Sequence, residues 1–279
     1  MGFRLANVND RAALVDSDGA YYDLEMISGG DVGPEPMAAI AHVALLHDLD
    51  ATLDQRDPTG SIDDVVLGAP IPHPRNCFAV GLNYLAHADE GGMELPEQPL
   101  VFTKFPSCIV GPTADVELRT RAADYEAELV VVIGTGGRDI DAADAWDHVA
   151  GLTVGQDISD RKLQFAAKPP HFDLGKSRDA YGPTGPLLVS TDLVPNRDNL
   201  ALTCDVNGER RQDATTASLI FDVRFLIEYL SGVTTLAPGD MIFTGTPEGV
   251  GAAQGSFLMP GDVIVTSIEG IGTLTNTCV

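Results

Sequence analysis

Residues 124–134 read Asp-Tyr-Glu-Ala-Glu-Leu-Val-Val-Val-Ile-Gly, so two glutamates, Glu126 and Glu128, lead straight into an apolar run. If the run is one strand, side chains two apart share a face, and both carboxylates point the same way from a core element. Paired carboxylates there repel each other and resist desolvation until something positive neutralises them. A hard divalent cation in an oxygen shell does so, with Mg2+, Mn2+ and Ca2+ as candidates; a solvated strand start with two surface acids is the plainer alternative. Residues 151–159, Gly-Leu-Thr-Val-Gly-Gln-Asp-Ile-Ser, read as a second strand that presents Asp157 at its end. Three acids would leave an open shell for water or substrate, as in catalytic magnesium sites, whereas Asp157 alone serves equally well as a helix N-cap.

Upstream, His87 and Glu90 stand at i and i+3, neighbours on a helical turn. A carboxylate that accepts from one imidazole nitrogen fixes the tautomer and makes the other nitrogen a better base toward water. An exposed polar turn is the other reading of the same spacing. Gly91-Gly92 follows, either as the hinge of a closing loop or as a helix stop. At Gly175-Lys176-Ser177 and at residues 244–251, Thr-Gly-Thr-Pro-Glu-Gly-Val-Gly, turns expose groups that suit a substrate carboxylate. These are backbone N–H groups such as that of Gly245, the Lys176 ammonium and the Thr246 hydroxyl, with ordinary turn chemistry as the alternative. The P-loop pattern is absent from both.

These residues have to be positioned by the elements around them. Short alternating stretches near the N-terminus give way to a helical pattern over Pro36 to Leu53, which predicts a small β-rich unit over residues 1–70. A Pro- and Gly-bearing connector, Asp57 to Gly60 and then Gly68 to Pro74, ends it. Residues 71–279 then carry strands at Cys77 to Val80, Leu100 to Phe102, Leu129 to Ile133, Leu187 to Val189, Leu200 to Val206, Met241 to Phe243 and Val263 to Ile268. Helical patterns are few, chiefly 142–149 and 218–230. Strands outnumber helices and do not alternate with them, so the expected class is mostly β with flanking helices, rolled or sandwiched, rather than a doubly wound sheet.

With 17 Lys+Arg against 41 Asp+Glu in 279 residues, the net charge is −24, and its field repels phosphate backbones and anionic lipid surfaces. Nucleic-acid and membrane-surface partners are excluded on that ground. An apolar content of 44% separates the chain from acidic disordered sequences. The four cysteines are far apart without a C-x-x-C, no stretch resembles a signal peptide, and no apolar run is long enough to span a bilayer, so a reduced, cytoplasmic protein is expected. An enzyme this acidic needs a local positive centre to hold an anionic metabolite, and a bound cation supplies one.

As an ordered set, several segments resemble the fumarylacetoacetate hydrolase family over roughly residues 75 to 275. They are Gly81-Leu-Asn-Tyr-x-x-His87-x-x-Glu90, Tyr125-Glu126-x-Glu128-Leu129, Gln156-Asp157-Ile158-Ser159-x-Arg161, Gly175-Lys176-Ser177, Val206-Asn207-Gly208-Glu209, Pro238-Gly239-Asp240 running on to Gly251, and Pro260-Gly261-Asp262. The resemblance implies a mixed β-roll catalytic domain, usually in a homodimer, with Mg2+ or Mn2+ held by Glu126, Glu128 and Asp157. It implies that His87 with Glu90 activates water on a mobile lid, that Lys176 takes part in catalysis, and that Tyr84, Arg161, Gln164, Gly245 and Thr246 contribute to substrate binding.

The chain departs from the family beside Asn83-Tyr84, where many members carry an arginine and this one has Leu82 and Leu85. Arg178 stands where an aromatic is common and could anchor a substrate carboxylate in its place, or else pair with Asp179 at the surface. The expected reaction is hydrolytic cleavage of a carbon–carbon bond in a β-diketone or acylpyruvate-like 2,4-dioxo acid. The resemblance also covers β-oxoacid decarboxylation and the hydration or isomerisation of 2-hydroxydienoate-type substrates, which use the same metal site and an enolate.

Overall fold

The computed structural model describes residues 2–92 and 94–279. In chain order the N-terminal segment carries β1 (Arg4–Val8), β2 (Arg11–Val15), β3 (Ala20–Asp23), helices α1 (Leu24–Ile27), α2 (Pro36–Ile40) and α3 (Val43–Asp50), and the two-residue strands β4 (Gly60–Ser61) and β5 (Leu67–Gly68). There follow β6 (Cys77–Gly81), α4 (Leu85–Glu90), β7 (Leu100–Thr103), β8 (Ile109–Val110), β9 (Ala123–Asp124), β10 (Ala127–Ile133), β11 (Val149–Gln156), β12 (Ser159–Asp160), α5 (Arg161–Gln164) and β13 (Gly182–Val189). The chain closes with β14 (Ala201–Val206), β15 (Glu209–Thr215), α6 (Val223–Val233), β16 (Met241–Phe243), α7 (Gly251–Gln254), β17 (Val263–Ile268) and β18 (Gly272–Thr277). The fold is mostly β with flanking helices, as the patterning predicts.

One large sheet runs β4-β3-β2-β1-β13-β11-β10-β16-β6-β7, and a second, of four strands, runs β15-β14-β17-β18. Antiparallel pairing of β1 with β13 (Arg4↔Val189, Leu5↔Leu188) joins the segment before residue 70 to the same sheet. The central strand β10 is buried on both faces. Leu129, Val131 and Ile133 pack with Leu202, Ile264 and Leu274 of the four-stranded sheet, whereas Val130 and Val132 pack on the other side with Met241, Phe243 and Leu46 of α3. Two-sided burial is why this strand reads as a continuous apolar run rather than an alternating one.

Helical periodicity overstated three elements. The pattern over 36–53 breaks into α2 and α3 around Ala41-His42. Residues 142–149 make only a 3-10 turn at Ala145–His148, after an Asp141-capped turn (Asp141 Oδ1 accepts from Ala143 N, 2.9 Å), and Val149 is drawn into the sheet opposite Ile133. The helix expected at 218–230 starts at Val223, where the Asp222 carboxylate accepts from Phe225 N at 2.8 Å and fixes the N-cap. Residues 219–221 stay non-helical and lie against the site loop: Asn83 Oδ1 accepts from Phe221 N at 2.8 Å, and Asn83 Nδ2 donates to Phe221 O and Thr244 O. Replacing Asp222 by Ala removes the cap and is expected to lower unfolding free energy by about 1 kcal/mol, read as a shifted midpoint with unchanged slope in urea.

Candidate active site

The register of β10 on β11 builds the acidic cluster. Glu128 lies opposite Gly155 and Ala127 opposite Gln156, and one step beyond the ladder Asp157 N donates to Glu126 O at 2.9 Å. Positions 126, 128, 155 and 157 therefore share a face. Glycine at 155 is required by crowding: a Cβ there would stand 2.5 Å from Val130 Cγ2 and 2.7 Å from the Phe243 ring. Gln156 ties the turn down, its Oε1 accepting from Glu126 N at 2.9 Å and its Nε2 donating to Thr266 Oγ1 at 2.8 Å. Glu126, Glu128 and Asp157 are all buried, and one oxygen of each lies within 4.8 Å of the others.

Three cations face these acids. Lys176 Nζ donates to Glu126 Oε2 (2.6 Å) and Asp157 Oδ2 (2.7 Å). Arg161 Nη2 stands 2.6 Å from Glu126 Oε1 and 2.8 Å from Asp124 Oδ2. Lys104, fully buried, donates to Asp157 Oδ1 at 2.8 Å, to Tyr181 O at 3.0 Å and to Lys176 O. Burial alone would push Glu126 up, but Lys176 and Arg161 outweigh it and hold the carboxyl well below the usual range. Glu128 has no such partner: its Oε2 accepts only from Gly245 N, at 2.7 Å, and burial together with the charges of Asp157 and Glu126 pushes it well above the usual range. Counting Asp124, four carboxylates meet three cations, and the unmatched one is Glu128. Buried oxygen donors with unmatched negative charge fit a hard divalent cation.

Above the cluster lies a cavity of about 120 Å3 whose wall includes His87, Glu126, Arg161, Gln164, Lys176 and Thr246 on one side and Val80, Leu82, Phe102, Phe165 and Phe172 on another. His87 arrives there because β6 pairs in parallel with β16 and ends in a sharp turn at Leu82, whose φ of 53° is strained for a non-glycine. His87 Nδ1 and Glu90 Oε2 are 3.6 Å apart, so the pair is adjacent but not hydrogen-bonded, and both Glu90 oxygens accept from Gly249 N (3.2 and 3.1 Å). Gly249 has no alternative there, with φ at +95° and Arg211 O 2.0 Å from where a Cβ would be.

The other site residues read from the sequence divide. Gln164 is buried in the wall and accepts from Arg161 Nη1 at 3.1 Å, and Thr246 Oγ1 donates to Ala127 O at 2.9 Å. The Gly245 N–H is taken by Glu128, so it holds a carboxylate of the protein rather than one of a substrate. Tyr84 is buried behind the wall; desolvation, with the charge of Glu128, pushes its phenol up. Arg178 is not in the cavity. Its Nε and Nη2 bind Asp160 Oδ2 at 2.9 and 2.8 Å, and it lines a separate pocket with Leu163 and Met259. Asp157 caps no helix, since Asp160 is the N-cap of α5, accepting from Leu163 N at 3.1 Å.

A family model described as "Fumarylacetoacetate (FAA) hydrolase C-terminal" matches residues 76–279. The chain belongs to the fumarylacetoacetate hydrolase family. Human "Oxaloacetate tautomerase FAHD2A, mitochondrial" is 41% identical over 220 residues, 77% of this chain and 70% of the relative. The structure of a putative HpcE protein from Mycobacterium smegmatis superposes with a TM-score of 0.93 at 44% identity, covering 99% of both chains. Maleylpyruvate hydrolase from Sphingobium sp. SYK-6, solved with manganese(II) and pyruvate, gives a TM-score of 0.84 at 29% identity, covering 99% of this chain and 98% of that one. The family thus includes tautomerases as well as hydrolases, and among the described residues no helix is long and apolar enough to cross a membrane.

Sequence reasoning missed Lys104 and Asp124. The signal for Lys104 was present, for it is one of only four lysines and stands two residues after the apolar Leu100 to Phe102. Lys104→Met is expected to cost about 3 kcal/mol in urea unfolding by leaving Asp157 Oδ1 buried without its cation and only Lys176 on the other oxygen, and Asp157→Asn in the same chain should recover part of it. Glu128→Gln relieves repulsion and keeps the bond from Gly245, so it should raise Tm in EDTA, roughly 2–4 °C for each kcal/mol of repulsion removed.

Proposed function

We propose that this chain is a divalent-cation-dependent enzyme that moves a proton between carbon and oxygen of a small 2-oxo acid, a keto–enol tautomerase or isomerase. The observation that carries this reading is the convergence of Glu126, Glu128 and Asp157 beside Lys176, with Glu126 and Lys176 lining a cavity that His87 also lines. At about 120 Å3 the cavity suits a short metabolite, well below drug-sized pockets. Support comes also from the relative named for oxaloacetate tautomerisation and from the solved pyruvate complex of a second family member.

In this proposal the three acids hold Mg2+ or Mn2+, which supplies positive charge next to the substrate's carbonyl oxygens and so lowers the cost of an enolate. His87 carries the proton to or from the substrate carbon. Lys176 and Arg161 keep Glu126 ionised and fix its direction, and the Gln164 amide N–H2 is the donor offered to the substrate's oxygens, the Thr246 hydroxyl being donated to Ala127 O. Val80, Leu82 and Phe102 keep water from the reacting carbon. The division into a small unit over 1–70 and a catalytic unit over 71–279, a homodimeric assembly and a reducing cytoplasmic setting are parts of the same proposal; the family match begins at residue 76, and all four cysteines are free and buried.

Tautomerisation is favoured over the carbon–carbon hydrolysis expected from the motifs by the state of Glu90. Hydrolysis needs that carboxylate on His87 so that water is activated, and here it is engaged by Gly249 N, whereas a lone imidazole suffices for a proton shuttle. The 3.6 Å separation keeps hydrolysis as the second reading, since a small movement of α4 would close the pair. The test follows oxaloacetate enol–keto interconversion and acylpyruvate cleavage in parallel with Mg2+ and Mn2+. Wild type should accelerate the first, EDTA should abolish that rate, and His87→Ala should lower it about 10²- to 10⁴-fold. Glu126→Gln should also remove the gain in Tm that the cation gives wild type. Release of pyruvate from an acylpyruvate, with oxaloacetate interconverting no faster than in buffer, would replace tautomerisation by hydrolysis.

A further inference from the structure

The lining of the cavity bears on which 2-oxo acid it takes. Among the described residues its two cations are already committed, Lys176 to Glu126 and Asp157 and Arg161 to Asp124 and Glu126, and Lys104, outside the lining, is paired with Asp157. The apolar part of the lining is Val80, Leu82, Phe102, Phe165 and Phe172. The rings meet edge to face, Phe102 on Phe172 with centroids 5.6 Å apart and Phe165 on Phe172 at 5.8 Å, and Phe102 lies 5.2 Å from Lys176 Nζ. The aromatic wall therefore runs outward from Lys176 through Phe102 and Phe172 to Phe165. Phe165 is 57% exposed at the mouth, so beyond its edge contact with Phe172 much of its ring faces outward.

Beyond this wall the apolar surface continues. Phe102 and Phe172 also line an outer groove of about 370 Å3 with Leu100, Val101 and Pro170. The ionisable groups on its rim, His171 and Asp173, stand 3.3 Å from each other, and Asp173 Oδ1 accepts from Thr103 N at 2.9 Å. Leu82 contributes an apolar surface to the cavity, and Arg178 is paired with Asp160 outside it. A second carboxylate would be desolvated against these rings, and among the described residues no uncommitted Lys or Arg lines the cavity or the groove to meet it, whereas a phenyl or branched alkyl group gains burial and edge-to-face contacts.

The geometry points to a substrate specificity different from that in the relatives' name: a 2-oxo monocarboxylate whose far end is an uncharged apolar or aromatic group, packed against the joined rings of Phe165 and Phe172, with dicarboxylates disfavoured. This rests on the proton-transfer reading for its chemistry. Phe165 and Phe172 are specificity-determining residues in it and touch the distal group, not the reacting atoms.

The experiment compares kcat/KM for enol–keto interconversion of phenylpyruvate and of oxaloacetate with the Mn2+-loaded enzyme. Wild type should favour phenylpyruvate by about tenfold or more, and Phe165→Ala and Phe172→Ala should each reduce that ratio about tenfold, mostly through KM for phenylpyruvate. Phe165→Arg, at an exposed position that tolerates the change, should invert it. A wild-type preference for oxaloacetate, or a ratio that none of the three variants moves, overturns the specificity. If neither acid interconverts faster than in buffer, the proton-transfer reading fails by itself. The subsite is then decided by calorimetric Kd values of the two acids for wild type and Phe165→Ala: tighter phenylpyruvate binding lost in the variant sustains it, and equal or reversed affinities reject it.

Discussion

The structure depends on keeping negative charge buried. Three carboxylates within 4.8 Å of one another, out of water, would ordinarily protonate or open the fold. Here Lys104 and Lys176 grip Asp157 from two sides, and Lys176 and Arg161 grip Glu126, so two of the three are fixed as anions with both position and direction defined. Glu128 is left with one backbone donor. Neutralisation is thus incomplete by about one charge, and the deficit lies where the reaction needs a positive centre. In a chain of net charge −24, three of the 17 basic side chains are gathered at one point.

The sheet makes that geometry reproducible. Each acid follows from strand register rather than from a loop: Glu128 within β10, Glu126 one residue before it, Asp157 one residue after β11, with the backbone bond from Asp157 N to Glu126 O closing the pair. Strands buried on both faces resist slippage, since a one-residue shift would turn Glu128 into the core and Leu129 into the site. The rest of the cavity wall, by contrast, includes short elements. α4 carries His87 after a strained turn, and α4 is held to Gly249 through Glu90. A rigid floor with a lightly held wall is what a site needs when it fixes a cation and also admits and releases substrate.

The acidic triad was legible because its determinants are local. Two glutamates at strand period before an apolar run, and an aspartate at a strand end, can be recognised without knowing the partners, and the ordered motifs added the family. The cations that complete the site were legible only in part. Lys176 lies in a Gly-Lys-Ser turn, but Lys104 reaches Asp157 across 53 residues and Asp124 meets Arg161 across 37, separations at which periodicity carries no information. Arg178 shows the converse: only two places from Lys176 in sequence, it pairs with Asp160 and does not line the cavity. Helix lengths at 142–149 and 218–230 erred because apolar spacing was read without the aspartates that cap the turns.

The same distinction separates what the family shares from what is particular to this chain. The floor is built of acids and cations whose identities chemistry constrains tightly, since each is buried against a charge and removal of one strands another. The aromatic wall is under no such constraint: Phe165 bears little on the packing, and at Leu82 only size and polarity matter. Reaction type should accordingly follow the floor and substrate choice the wall, so that relatives similar in strands and acids can differ in the acid they accept. A name carried by a relative therefore informs on the enolate chemistry more than on the substrate, and in this chain the side chains to compare are Leu82, Phe165 and Phe172.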